Sequence, residues 1–317
     1  MKIIIIDKVH EILIDLLKKQ EFSIDYFPDI KENEILNKLS DYQGIIVRSK
    51  IKITKKIIDS AEKLKFIARV GAGLENIDTD YAKQKNIVVF NSPEGNRNAV
   101  GEHALGMLLA LFNKLCIADM EVRNGIWQRE QNRGLEIKGK TIGIIGYGNM
   151  GSAFAQRLKG FEANIIAYDK YKTGFGNDWV KEADLNEIFK ESDVLSLHVP
   201  LTFETKFMAD NRFFENFAKA FYLINTARGK VVKTGDLVKA LKSGKILGAA
   251  LDVLEYEQSS FENIRQSKSN PDFEYLVNCK KVILSPHIAG WTQESNIKLA
   301  TFLTDKIIKD FSNKQGN

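Results

Sequence analysis

The chain has 317 residues, 44% hydrophobic and 27% charged, with a formal net charge of +5. That length suffices for two domains with their own cores, and so weak a positive balance, with no basic arm or zinc spacing, argues against a nucleic-acid partner. Two cysteines, Cys116 and Cys279, cannot build a disulfide framework and fit a reducing compartment. The opening MKIIIID is cut off by Asp7, too early for a signal peptide, and ALGMLLALF at 104–112 is about half a membrane span. A soluble, cytoplasmic protein without a membrane partner is expected.

In chain order, β-branched runs predict strands at 2–6, 23–27, 44–48, 65–69 and 87–90. Helical patterns lie between them, as at 10–19 and 55–63. This alternation implies a small parallel sheet with helices on its faces. One long helix is expected from about Asn98 to Asn124, because Ala104, Met107, Leu108, Leu111 and Leu115 recur at three- and four-residue steps. A second set of six strands follows at 141–146, 164–168, 194–198, 221–225, 247–251 and 281–284. Six strands with helices between them match a Rossmann-type doubly wound parallel sheet. A last amphipathic helix is expected at about 292–311.

The run TIGIIGYGNMG places Gly146, Gly148 and Gly151 in G-x-G-x-x-G spacing, between a strand and the helical run SAFAQRLKGF. Alone the spacing is common; its context gives it weight. Gly146 permits the tight turn, Gly148 admits a pyrophosphate to the backbone, and Gly151 lets helix and strand pack closely. The helix N-terminus then offers unpaired N–H groups to the phosphates. Asp169 ends the next strand. A carboxylate there accepts ribose hydroxyls and repels a 2′-phosphate, which favours NAD over NADP; the adjacent Lys170 pulls the other way.

Ligands of such sheets bind beyond the carboxyl ends of the strands. Three successive strands end near Arg228, near Asp252 with Glu255 and Glu257, and at Ser285-Pro286-His287. Hydride chemistry on a 2-hydroxy or 2-keto acid uses these residue types. A guanidinium orients the C2 oxygen and the carboxylate, and an imidazole takes the hydroxyl proton. A carboxylate on the other ring nitrogen fixes the tautomer and stabilises the imidazolium. Each residue alone has a plainer reading: a surface ion pair for Arg228, a structural histidine for His287, a solvated Glu257. Their coincidence beside a dinucleotide fingerprint favours the catalytic one. His198, after the third strand of this set, reads as lining or structural, His103 as a satisfied residue of the apolar long helix, and His10 as a member of the first helix without a signal.

The segments GKTIGIIGYGNMG, INTARGKVV, GAALDVLEYE and SPHIAGWTQES resemble the D-isomer-specific 2-hydroxyacid dehydrogenases, as do VGAGLENID and NSPEGNRNAVGEHALGMLLAL. The resemblance runs over about residues 44–300, in family order, and is strongest to members that oxidise 3-phosphoglycerate. It implies a catalytic trio of Arg228, Glu257 and His287. It implies that Asp252 contacts the nicotinamide side of NAD, and that Asn149, Met150, Thr226, Ala227, Gly290, Val100 and Val199 line the cofactor. The backbone of Gly71, Ala72 and Gly73 would receive the substrate carboxylate. Residues 1–97 and 291–317 would form a smaller, flavodoxin-like substrate domain interrupted by an NAD-binding domain at 98–290, with closure between them expelling water. A homodimer is also implied.

The pattern departs from the family at Gln258, where many relatives have proline, and at HIAGW, where a second glycine is usual. A carboxy-terminal regulatory domain that binds serine is not expected. For a phosphorylated substrate, Arg48 with Ser49 is the first candidate, and Arg97 and Arg129 are weaker ones. Three functions remain open: NAD-dependent oxidation of 3-phosphoglycerate towards serine, the chemistry of another D-2-hydroxyacid dehydrogenase or reductase (glyoxylate, hydroxypyruvate or D-lactate), and NAD sensing by a binding protein of corepressor type.

Overall fold

The computed structural model describes residues 1–257 and 270–312. Gln258 and most of the polar run after it lie outside the described residues. The chain divides into two units. One comprises Met1–Asn96 and the segment from Trp291 onward; the other begins at Arg97 and ends at Gly290.

The first unit contains β1 (Lys2–Ile5), α1 (Glu11–Lys18), β2 (Ser23–Tyr26), α2 (Glu32–Ile35), β3 (Gly44–Val47), α3 (Lys55–Asp59), β4 (Phe66–Arg69), α4 (Thr79–Gln84) and β5 (Val88–Phe90). Its sheet runs β2-β1-β3-β4-β5, all parallel, which is the flavodoxin-like order. Both faces are covered, so β1 is apolar from Ile3 to Ile5. Ile3 and Ile5 pack with Leu13 and Leu17 of α1 on one face, while Ile4 and Ile6 pack with Ile35, Ile57 and Ala82 on the other. Two helix ends differ from the sequence reading. His10 precedes α1 as its N-cap, its Nδ1 accepting the Ile12 N–H at 3.2 Å. α3 stops at Asp59 because the Ser60 hydroxyl turns back to the Ile57 carbonyl at 2.8 Å.

α5 (Pro93–Phe112) and α6 (Leu115–Arg123) stand where one helix from Asn98 to Asn124 was expected. Pro93 supplies an earlier start, since its fixed φ suits a first helical position. The break lies at Lys114, in the left-handed region at φ 52°. There the Phe112 carbonyl accepts the Leu135 N–H at 3.0 Å.

Then follow β6 (Thr141–Ile145), α7 (Asn149–Leu158), β7 (Asn164–Tyr168), β8 (Lys181–Glu182), α8 (Leu185–Glu191), β9 (Val194–Leu197), α9 (Asn211–Glu215), β10 (Phe221–Asn225), α10 (Thr234–Ser243), β11 (Ile246–Leu251), α11 (Pro271–Asn278) and β12 (Val282–Leu284). α12 (Gln293–Phe311) returns to the first unit, burying Leu299, Leu303 and Ile307 beside α1. The sheet order β12-β11-β10-β9-β6-β7-β8 is the doubly wound Rossmann arrangement with its switch between β6 and β9. Among the described residues seven strands stand where six were expected. The addition is β8, an edge pair on β7. Ile142, Ile144, Ile165 and Ile224 pack under α5 and α7, while Leu195, Leu197, Leu223 and Leu251 face α8, α9 and α10.

One transverse row organises this sheet. Tyr168, Ile145, Leu197, Asn225, Leu251 and Leu284 lie side by side across six neighbouring strands. The next residues, Asp169, Gly146, His198, Thr226, Asp252 and Ser285, therefore emerge together at the carboxyl edge. Among the described residues no helix is long and apolar enough to cross a membrane.

Candidate active site

The dinucleotide end of the row is built from backbone geometry. Gly146 has φ +92°, and a Cβ there would lie 2.7 Å from the His198 carbonyl oxygen. Only glycine fits that turn. A Cβ on Gly151 would sit 2.0 Å from the Gly146 oxygen, so this position carries the close approach of α7 to β6. Gly148 caps α7, and a Cβ there would meet nothing within 4 Å. The open side of the loop is thus beside the first-turn N–H groups of Asn149 and Met150, which lack intrahelical acceptors. Helix and loop together make a cradle for a pyrophosphate.

Asp169 faces the same loop. Its Oδ2 accepts the Tyr147 N–H at 2.8 Å, and its Oδ1 accepts those of Tyr171 and Lys172 at 2.9 and 3.1 Å. The carboxylate is held in place with lone-pair capacity left for ribose hydroxyls. The neighbouring Lys170 is engaged by Glu204 at 2.5 Å, which offsets its charge. Thr226, at the end of β10, is buried, and its hydroxyl has no hydrogen-bond partner among the described residues. Ala227 and Val100 are buried, while Val199 and Gly290 are half-buried. These residues fit a bound dinucleotide.

The other end of the row brings in the three residues expected to form the catalytic trio. Arg228 follows β10, Glu257 follows β11 and His287 follows β12, three adjacent strands in register. His287 Nδ1 lies 2.7 Å from Glu257 Oε2. Glu257 Oε1 accepts the Leu254 N–H, so the carboxylate cannot turn away. The side chains are 22% and 14% exposed, leaving the pair largely out of water. The Arg228 Nη1 donates to the Ala227 carbonyl at 2.7 Å, and Asn225 Nδ2 holds the Arg228 carbonyl at 3.1 Å.

Asp252 is 1% exposed and anchors the turn that carries His287. Its carbonyl accepts the His287 N–H at 2.7 Å. Its Oδ1 accepts the Ser285 hydroxyl at 2.6 Å and the Ile288 N–H at 2.9 Å, and its Oδ2 accepts the Ala289 N–H at 2.9 Å. Burial pushes this carboxyl up, but the donors from His103, Ser285, Ala289 and Ile288 outweigh it and hold the group below the usual range. His103 is a satisfied residue of α5, as expected, but its partners are distant in sequence: its Nε2 lies 3.0 Å from Ser285 Oγ and 3.5 Å from Asp252 Oδ1. The sequence hint was slight, a lone imidazole on the apolar face of α5.

His198 sits beneath the glycine loop, buried, with Nε2 2.8 Å from Ser196 Oγ. Burial lowers its pKa to about 3, so the ring stays neutral. Its role here is structural.

In the first unit, β3 leads to Arg48 and Ser49, and β4 leads to Gly71, Ala72 and Gly73. Asp7 at the end of β1 organises the former loop. Its Oδ2 accepts the N–H groups of Arg48, Ser49 and Lys50 at 3.0, 2.8 and 3.0 Å. The Arg48 guanidinium stacks over the Trp291 ring at 3.9 Å, and burial lowers its pKa against the raising effect of Asp7. The carbonyls of the glycine loop are all taken: Gly71 by Ser92 N–H, Ala72 by Asn91 Nδ2, and Gly73 by Arg69 Nη1, at 2.9, 2.5 and 2.5 Å. The Gly71 N–H is itself given to the Arg69 carbonyl at 2.9 Å, so of the three amides expected to receive a carboxylate the loop leaves those of Ala72 and Gly73 to form the nest. Asp7 and Arg69 shape these loops, and the sequence reading gave neither a role. Arg97 and Arg129, the weaker candidates, are exposed.

Comparison with known proteins identifies the family. The model of the D-isomer specific 2-hydroxyacid dehydrogenase, NAD binding domain, matches residues 105–289. The chain is 34% identical to D-3-phosphoglycerate dehydrogenase of Archaeoglobus fulgidus over 97% of its own length, spanning 57% of that protein. It is 35% identical to hydroxypyruvate reductase of Thermotoga maritima, covering 93% of each chain. The structure of D-lactate dehydrogenase from Aquifex aeolicus, complexed with NAD and lactic acid, superposes with a TM-score of 0.80 at 30% identity, covering 97% of this chain and 95% of that one. The chain therefore belongs to the D-isomer-specific 2-hydroxyacid dehydrogenase family, with a nicotinamide-dinucleotide-binding domain built on β6–β12.

Proposed function

We propose that the protein oxidises D-3-phosphoglycerate to 3-phosphohydroxypyruvate with NAD, the reaction that opens serine synthesis. The observation that carries the dehydrogenase chemistry is the 2.7 Å contact between His287 Nδ1 and Glu257 Oε2 at the end of the sheet that bears the glycine loop. When bound, the nicotinamide accepts the hydride from C2. The protein's part is to move the proton and hold the substrate. With Nδ1–H donated to Glu257, the Nε2 lone pair of His287 takes the C2 hydroxyl proton as the carbonyl forms. Glu257 stabilises the resulting imidazolium. Arg228 orients the C2 oxygen and the carboxylate through its planar fork. In this reading the first unit is the substrate domain: the N–H groups of Ala72 and Gly73 take the carboxylate, and Arg48 with Ser49 takes the phosphate.

The phosphate assignment draws support from the phosphoglycerate dehydrogenase relatives and from the Arg48 loop. A second reading keeps the chemistry and changes the acid. It is favoured by the hydroxypyruvate reductase relative, which matches nearly end to end. A panel decides between them: NADH consumption with 3-phosphohydroxypyruvate beside hydroxypyruvate, glyoxylate and pyruvate. A kcat/KM at least tenfold higher for the phosphorylated acid supports the first reading; the reverse order establishes the second. The proposal includes a homodimer formed through the dinucleotide unit, where Leu115, Met120, Val122, Ile126 and Trp127 are exposed. Sedimentation equilibrium tests it.

A further inference from the structure

We propose that His103 is a positioning residue for His287, acting through Ser285 and Asp252; this rests on the dehydrogenase reading above. The turn that presents His287 is an unusual one. His287 itself has φ +56°, in the left-handed region that non-glycine residues adopt sparingly. Three consecutive N–H groups, those of His287, Ile288 and Ala289, all close on Asp252, at 2.7, 2.9 and 2.9 Å. The two carboxylate oxygens serve different members of the turn, so rotation of this carboxylate displaces the backbone on both sides of it.

What fixes that rotation from the opposite side is Ser285 and, behind it, His103. The Ser285 hydroxyl has as acceptors in reach Asp252 Oδ1 at 2.6 Å, the His103 Nε2 of one tautomer at 3.0 Å and the Met107 sulfur at 3.8 Å. A carboxylate is by far the stronger. The serine proton therefore goes to Asp252, and its oxygen is left to accept. His103 Nε2, 3.0 Å away, must then carry the proton and donate. The chain of donors runs one way, His103 to Ser285 to Asp252, and the same nitrogen lies 3.5 Å from the carboxylate it supports. His103 stands on α5, 182 positions before Ser285. The relay thus ties the turn of the proton acceptor to a helix packed on the sheet, not only to its own strand.

The test compares His103→Leu, which removes the donor, with His103→Gln, whose amide places an N–H near the same point. The Leu variant is expected to lose about tenfold or more in kcat, as a small misplacement of an acid–base group does. KM for the 2-keto acid should stay within about twofold, since no substrate contact is lost. The Gln variant should recover most of the rate. Combining His103→Leu with Ser285→Ala should cost no more than Ser285→Ala alone. Nitrogen-15 histidine spectra supply a readout independent of turnover. They should show His103 protonated on Nε2, and a His287 resonance that shifts in the Leu variant but not in the Gln variant. Wild-type protein inactive on every 2-keto acid would sink the dehydrogenase reading, and the spectra would still decide the relay. Normal kcat in folded His103→Leu, a Gln variant as impaired as Leu, or an Nδ1-protonated His103 would each overturn the proposal.

Discussion

Glu257 Oε2 sits 2.7 Å from His287 Nδ1, and the other oxygen of the same carboxylate is held by the Leu254 amide. A ring tethered in this way at one nitrogen has the other directed away from its tether. From that relationship His287→Ala is expected to lower kcat by about 10² to 10⁴, the usual contribution of a positioned acid–base group. NAD affinity should change little. Steady-state rates and a fluorescence titration with NAD check the two halves separately. Glu257→Gln should lose about 10- to 100-fold in kcat, because a neutral amide stabilises the imidazolium less. Loss of NAD binding in either variant with chemistry intact would refute the assignment.

Arg48 is expected to discriminate by substrate charge. In Arg48→Ala, KM for 3-phosphohydroxypyruvate should rise by about tenfold or more, the value of one charge-assisted contact, while KM for hydroxypyruvate should hardly move. Trp291→Ala should give a smaller change of the same kind, since the ring at 3.9 Å restrains the guanidinium. Equal rises for both acids would remove the phosphate role.

Asp169 is expected to set the cofactor preference. In Asp169→Ala the ratio of kcat/KM for NAD to that for NADP should fall by about tenfold or more, because a carboxylate repels the 2′-phosphate and accepts ribose hydroxyls. The Tyr147, Tyr171 and Lys172 amides lose their acceptor in the same variant. A modest drop in Tm should accompany the switch. An unchanged cofactor ratio would show that specificity lies elsewhere.

His198 is expected to make the fold acid-sensitive. Burial holds its folded pKa at about 3, against an ordinary value of 6.5. Below pH 6.5 the unfolded chain binds a proton that the folded chain refuses. This contribution to stability is therefore full above pH 6.5 and falls as pH drops towards 3, by at most about 1.4 kcal/mol per pH unit. Denaturant unfolding of wild type and His198→Gln at pH 7, 6 and 5 measures the slope. The variant should lose less stability over that range; equal slopes would contradict the prediction.

The central strands were legible because parallel strands buried on both faces are continuous β-branched runs, as in Ile3–Ile6 and 45–47. Gly146 was legible because a positive φ beside the His198 carbonyl leaves no alternative residue. β8 was not: its two residues, Lys181 and Glu182, pair at an edge and carry no apolar signal. The break at Lys114 depends on the Leu135 amide, which the helical periodicity of α5 cannot reveal. His103 and Asp7 escaped for the same reason. Each works through partners far along the chain, Ser285 for one and the Arg48–Lys50 amides for the other, and local pattern carries no trace of such pairs.

The placement of α12 has a consequence for how the polypeptide is made. Leu299, Leu303 and Ile307 complete the side of the β1–β5 sheet that α1 covers only in part. As the protein emerges from the ribosome, every strand of both sheets is synthesised before that helix. The first unit to be translated is thus the last to close, and until α12 arrives Ile3, Ile5 and Phe66 lack part of their apolar cover. Nascent chains stalled near Gly290 should bind chaperones that recognise exposed isoleucine and phenylalanine, and release of the helix should free them.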